Sequence, residues 1–209
     1  MNCLLCNSIV IEKYHSQIDR EWYFCLECAS VFVPNHILPS FKKEKRRYQL
    51  HENNPTDIGF QKFVSPLAQT IKNTIPEKHT GLDFGSGTGS AVGKLVREAG
   101  YNLFEYDPFF KANRSVLDSA YDFIICCEVI EHFHHPLKEF ELLYSLLKPG
   151  ASLFSMTNLL PERSEFPIWY YKNDLTHVLF YSIENLEWIK KKVGFSGLKI
   201  EGRVITLTK

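Results

Sequence analysis

Several groups of residues in this chain have types and spacings that can do chemistry. Cys3-x-x-Cys6 and Cys25-x-x-Cys28 form two paired-thiol knuckles separated by residues 7–24, a spacing that suits a tetrahedral four-thiolate zinc site. Two thiolates at i and i+3 converge from each tight turn. A metal there would supply the stability that residues 1–35, too few to bury a core, cannot supply alone. A redox Cys-x-x-Cys pair would want a βαβ context absent from this segment; free thiols are the remaining alternative. Four thiolates fill the coordination shell, so such a zinc is structural or recognitional and not catalytic.

The second group is Asp83-Phe84-Gly85-Ser86-Gly87-Thr88-Gly89, whose alternate glycines lack the Cβ atoms that would keep a ligand off the backbone. A tight βα turn without a ligand would look similar, and the glycines depart from the G-x-G-x-x-G dinucleotide fingerprint. About 20 residues on, Glu105-Tyr106-Asp107-Pro108 closes another strand-like run, where an open α/β sheet places a carboxylate to accept from ribose hydroxyls. Glu128, Glu131 and His132 then follow an apolar strand at the sheet edge where such folds bind ligands, with His134 and His135 extending toward solvent. Residues 169–181 add aromatics, Asp174 and His177; they suit a cover over an organic acceptor, or equally a packed core.

The elements that must position these residues follow from periodicity. Strands are expected at 80–84, 101–106, 121–127 and 151–157, and helices at 58–75, 90–99, 136–147 and from the cap Ser182 to about Val193. Lys148-Pro149-Gly150 reads as a turn, and 195–200 with 203–208 as a closing strand pair. The charged run Lys42–Arg47 reads as helical, ending before Asn53-Asn54-Pro55. Tyr48 and His51 are candidates to close a cofactor site from that side. The organisation is a zinc-ribbon-like module at 1–35, a linker and helix at 36–57, and one α/β domain at 58–209.

Taken together, Asp83-x-Gly85-x-Gly87-x-Gly89, Asp107, Tyr121-Asp-Phe-Ile-Ile-Cys-Cys-Glu-Val-Ile-Glu131-His132 and Leu147-Lys-Pro-Gly150 resemble the class I S-adenosylmethionine-dependent methyltransferases, of the ubiquinone-biosynthesis O-methyltransferase type. The resemblance implies a Rossmann-like, doubly wound sheet of seven strands with the last one antiparallel. It implies Asp83, Gly85, Gly87 and Gly89 against the methionine part of the cofactor, Asp107 on its ribose and the Cys126–Cys127 backbone beside the sulfonium. Pro108–Ala120 is shorter than the insertion usual in that family, so the adenine pocket must be built differently. Asp118 is the candidate for the adenine amine, with a solvated turn carboxylate as the alternative reading.

For the transfer itself, Glu128, His132 and His177 are the candidate catalytic residues, able to bind an acceptor or remove its proton. If the segment after the strand is helical, Glu128, Glu131 and His132 share one face and, with His177, form a second site for Mg, Mn or Zn. Glu-x-x-Glu-His with a later His resembles small-RNA 2′-O-methyltransferases and some ubiquinone-pathway enzymes, where it implies a metal that orients a pair of hydroxyls. The plainer alternative is that Glu131 and His132 brace the loop.

Lys+Arg and Asp+Glu both total 24, and a formal charge of zero argues against a chain whose main business is coating nucleic acid or an anionic membrane. The expected acceptor is a small or biosynthetic molecule. RNA contacted through Lys42–Arg47 and the cysteine module is the competing substrate, a charge run being more often a solvated helix face. A non-catalytic adaptor, binding a protein through the module, is a third reading. No run approaches membrane-spanning length, and the N-terminus lacks a signal-peptide layout, so a cytoplasmic location is expected.

Overall fold

The computed structural model describes residues 1–50 and 54–209. Its larger sheet has six strands: β4 (Thr80–Phe84), β5 (Asn102–Tyr106), β6 (Tyr121–Cys127), β7 (Leu147–Met156), β9 (Gly197–Glu201) and β10 (Val204–Thr208). They lie in the order β5-β4-β6-β7-β10-β9. Pairings among β5, β4, β6 and β7 are parallel, whereas β10 is antiparallel to both its neighbours. The expected seven strands are therefore six. Between β5 and β6 the chain makes only a turn and a 3-10 segment, Arg114–Asp118, too short to add a strand beyond β5.

Alternating side chains send the two faces of this sheet into two cores. Phe123, Ile125, Phe154 and Met156 pack against α2 (Ile58–Thr74) and α3 (Ala91–Glu98). Ile124, Cys126, Leu153 and Leu207 pack against α4 (Pro136–Leu146) and α5 (Ile183–Val193). β6 is apolar on both faces because both are covered, the pattern of a buried parallel strand. Helix entry is set locally: Asp57 and Ser90 accept from Phe60 N and Gly93 N, and Ser182 with Asn185 closes a reciprocal capping box. Gly194 ends α5 in the left-handed region at φ 101°, which glycine adopts without Cβ strain.

The N-terminal residues build a second sheet from β1 (Ile11–Gln17), β2 (Arg20–Cys25) and β3 (Val31–Phe32), and β8 (Leu179–Phe180) from the far end of the chain completes it. Cys3, Leu5, Cys25, Cys28 and Phe32 belong to the same apolar cluster as the α4–α5 face of the large sheet. A third cluster joins Trp22, Val31 and Val33 to Phe166, Tyr171, Val178 and Phe180. The basic run lies on α1 (Phe41–Gln49), whose Glu44 is buried. His51 and Asn53 lie outside the described residues. Among the described residues, no helix is long and apolar enough to cross a membrane.

Candidate functional site

Each cysteine knuckle turns on a residue with positive φ just after its second cysteine, Asn7 at 62° and Ala29 at 55°. Asn7 N donates to Cys3 O at 3.0 Å and Ala29 N to Cys25 O at 2.9 Å, so the two turns repeat one geometry. Their four sulfurs converge, with all ligand atoms within 4.8 Å of one another. Cys3 Sγ lies 3.5 Å from Cys28 Sγ, and Cys6 Sγ 3.5 Å from Cys25 Sγ. That is far beyond a disulfide bond of about 2.05 Å. It is close to the roughly 3.8 Å edge of a tetrahedron with zinc–sulfur bonds of about 2.3 Å, so the ligand set fits zinc. A hydrogen bond from Cys28 draws the Cys3 thiol down to about 5, while that contact and burial push Cys28 up.

The glycine turn follows β4 at the carboxyl edge of the large sheet. Gly85 and Gly87 have φ of 83° and 58°. A Cβ on Gly85 would stand 2.5 Å from Val129 Cγ2, so glycine is required there for space as well as for conformation. Asp107, only 6% exposed, ties the turn to the end of β5: one carboxylate oxygen accepts from Gly87 N at 2.9 Å, the other from Phe109 N and Phe110 N at 2.8 and 3.0 Å. Asp83 is buried, one of its oxygens has no partner in the structure, and burial pushes its carboxyl up to about 6. Ser86 Oγ is likewise buried and unpartnered. Unmet polar atoms around a glycine turn are what a polar ligand would satisfy.

The turn opens into a cavity of about 900 Å³ that Asp83, Gly85, Gly87, Gly89, Asp107 and Cys127 all line. This is ample for a nucleoside-sized ligand plus an acceptor. Asp118 is exposed and does not line it; Arg114 and Leu117 of the same 3-10 segment do. Tyr48 reaches the cavity from α1, edge-on to Phe109 at 5.2 Å and to His132 at 5.3 Å.

The same cavity is also lined by Glu128, His132 and His177. The expected helix after β6 is not formed. Glu128 has φ 53° and is followed by a 3-10 turn, Ile130–His132, so the residues do not share a helical face. The turn nonetheless brings Glu131, His132 and His177 together, with ligand atoms within 4.8 Å. His132 Nδ1 lies 2.9 Å from Thr176 O, and His177 Nδ1 lies 2.7 Å from Tyr171 O. A carbonyl only accepts, so both rings carry their proton on Nδ1 and keep the Nε2 lone pair. Burial lowers both imidazoles, His177 to about 3, which keeps them neutral. Glu131 is fully buried; one carboxylate oxygen takes a short hydrogen bond from Tyr171 OH and the other is unpartnered. Two neutral imidazoles oriented by carbonyls beside an unmet carboxylate oxygen fit a divalent cation.

Glu128 stands apart from that trio. It accepts from Arg203 at 2.6 Å and its other oxygen lies 3.1 Å from Tyr171 OH, whose single proton goes to Glu131; burial with the nearby Glu131 charge pushes its carboxyl up. The sequence assigns Arg203 no role and Tyr171 only a place in the aromatic 169–181 segment, not a bond to either glutamate. Neither carries a local signal, because Arg203 arrives from the β9–β10 hairpin and Tyr171 is one aromatic among many. Of the basic run on α1, Arg47 is engaged by Asp174 at 2.8 Å, while Lys45 lies 6.0 Å from the Phe110 ring centre.

Residues 50–200 match the family model described as a methyltransferase domain. The chain belongs to that family. It is 25% identical over 150 residues to the ubiquinone biosynthesis O-methyltransferase of Sodalis glossinidius, covering 70% of this chain and 57% of that protein. The chain thus spans somewhat over half the length of that curated relative. Among solved structures, the 1,6-didemethyltoxoflavin-N1-methyltransferase of Burkholderia thailandensis, bound to 1,6-didemethyltoxoflavin and S-adenosylhomocysteine, superposes with a TM-score of 0.60 at 12% identity over 95% of this chain and 99% of that one. An O-methyltransferase family protein from the same organism gives 0.54 at 13% identity, over 79% and 61%. At these identities the structural likeness establishes the Rossmann-like fold of the family.

Proposed function

We propose that this chain is an S-adenosylmethionine-dependent methyltransferase that methylates an oxygen of a small biosynthetic molecule. The observation that carries the reading is one cavity lined both by the Asp83–Gly89 turn with Asp107 and by Glu128, His132 and His177. The backbone of Gly85–Gly89 would hold the methionine part of the cofactor and Asp107 its ribose, which asks Asp107 to use the lone pair left after its three backbone bonds. Cys127, at the end of β6, lines the same cavity and its backbone would stand beside the sulfonium. Bound there, S-adenosylmethionine supplies a methyl on a sulfonium whose carbon–sulfur electron pair stays with sulfur.

Glu131, His132 and His177 would hold a divalent cation, Mg, Mn or Zn, whose charge lowers the pKa of a nearby hydroxyl. Glu128 is the proton acceptor. Arg203 fixes its carboxylate at 2.6 Å, beside the residues that would hold the cation. Tyr48, Phe109 and Phe110 line the cavity and exclude water from the reacting atoms. The four cysteines would hold a structural zinc whose filled thiolate shell takes no part in the transfer.

The test is incubation with methyl-labelled S-adenosylmethionine and fractionated cell extract. Label in an O-methylated small molecule, reduced in Glu128→Gln, is expected. Label recovered in RNA or protein would overturn the acceptor class, and no transfer to any fraction would overturn the enzymatic reading.

A further inference from the structure

One arginine of the N-terminal sheet grips the backbone of the loop that carries His177. Arg20, at the start of β2, donates from Nη1 to Asp174 O at 2.8 Å and Lys172 O at 3.4 Å, and from Nη2 to His177 O at 2.5 Å. Three carbonyls from one hexapeptide thus converge on one planar cation, which fixes the path of residues 172–177 more tightly than a single bond could. Trp22 supports the guanidinium from below at 5.4 Å. Burial pushes Arg20 down to about 10, still charged at neutral pH.

The loop so held sets two of the three groups of the metal trio. It carries His177 itself, and its Thr176 O is the acceptor that orients His132. Immediately beyond, Val178 N donates to Glu131 O at 2.9 Å while Val178 O accepts from Val33 N at 3.0 Å, so the strand is bonded to the site on one side and to the cysteine module on the other. We propose that Arg20 is a positioning residue for the acceptor site, and that through it the four-cysteine module holds His132 and His177 in the geometry that takes a cation. The module is in this account a wall of the site. The cation part of the inference rests on the divalent site proposed above.

Three variants of the full zinc-loaded chain separate this from a general loss of structure. Arg20→Met removes the fork, Arg20→Lys keeps charge and part of the bonding, and Arg163→Met is the control. Arg163 also ties the module to the core, through Glu12 and the carbonyls of Lys13 and Tyr14, without touching residues 172–177. Mn²⁺ binding by electron paramagnetic resonance reads the oxygen–nitrogen site, since four thiolates disfavour that ion. Arg20→Met is expected to weaken Mn²⁺ about 10- to 100-fold, the usual cost of losing an outer support of a metal ligand, with Arg20→Lys intermediate. Arg163→Met is expected to stay within about twofold, and S-adenosylhomocysteine affinity to stay within about twofold in all three.

Amide exchange at Thr176, His177 and Val178 should accelerate in Arg20→Met and not in Arg163→Met. Unchanged exchange there overturns the proposal, as does an equal loss of S-adenosylhomocysteine and Mn²⁺ affinity. If the unaltered chain binds no Mn²⁺, the metal reading fails and Arg20 is judged on exchange alone. If Arg20→Met does not fold, the same criteria apply to Arg20→Lys.

Discussion

Gly85→Ala isolates the contact through which the cofactor turn and the loop after β6 are built against each other. The new Cβ would stand 2.5 and 2.8 Å from Val129 Cγ2 and Cγ1, at a residue with φ 83°. The left-handed conformation costs an L-residue about 1–2 kcal/mol. Forcing a methyl into an occupied space costs about 1–3 kcal/mol more, giving a total of about 2–5 kcal/mol. Val129→Ala removes two methylene-sized groups, about 1.6 kcal/mol at roughly 0.8 each, and with them the 2.5 and 2.8 Å clashes, leaving Val129 Cβ at 3.2 Å. The double variant should therefore fall short of additivity by the overpacking part, about 1–3 kcal/mol. Urea unfolding of the four proteins, with equal slopes, measures this coupling. Additivity within about 0.5 kcal/mol would show that Gly85 and Val129 do not meet, and that the turn and the Glu128–His132 loop are built independently.

Freshly purified, reductant-protected protein should contain one zinc per chain on Cys3, Cys6, Cys25 and Cys28. Because their cluster is continuous with the α4–α5 core, Cys25→Ser should lower a single melting transition; elemental analysis without zinc, or a separate early transition, would contradict this. Asp107→Asn leaves Gly87 N or the Phe109–Phe110 pair facing an NH2, and should weaken S-adenosylhomocysteine binding by about 1.5–3 kcal/mol, roughly 10- to 150-fold. Unchanged affinity in calorimetry would remove Asp107 from the binding account. Transfer activity should fall on chelation and in Glu131→Gln; undiminished turnover in EDTA, with no second metal in anomalous scattering, would leave Glu131 and His132 as braces of the loop.

Where a segment repeats a hydrophobic period over its own length, the sequence reading and the structure coincide: Thr80–Phe84, Tyr121–Cys127 and the helix capped by Ser182 are found where expected. Lys148-Pro149-Gly150, whose composition reads as a turn, instead lies within β7. The irregularity in β6–β7 pairing between Tyr121 and Phe123 falls beside that stretch. The Glu-x-x-Glu-His spacing suggested a helix, but Glu128 takes a positive φ and the trio is assembled by a turn. Its residues were legible and their geometry was not, because His132 is oriented by Thr176 O, 44 positions on in the chain, and His177 by Tyr171 O, six positions back across an irregular loop. The same reason hid β8 and Arg20. A two-residue strand and an arginine bonded to carbonyls 152–157 positions away leave no local pattern.

The central claim is that the Asp83–Gly89 turn and Asp107 hold an adenosylated sulfur ligand. Titration calorimetry of the intact, zinc-loaded chain with S-adenosylhomocysteine tests it without needing the acceptor. The account predicts saturable binding at one site per chain, matched by S-adenosylmethionine and weakened by Gly87→Val, whose side chain would bar the backbone approach. A folded chain that gives no binding heat and no thermal stabilisation with either ligand would contradict it.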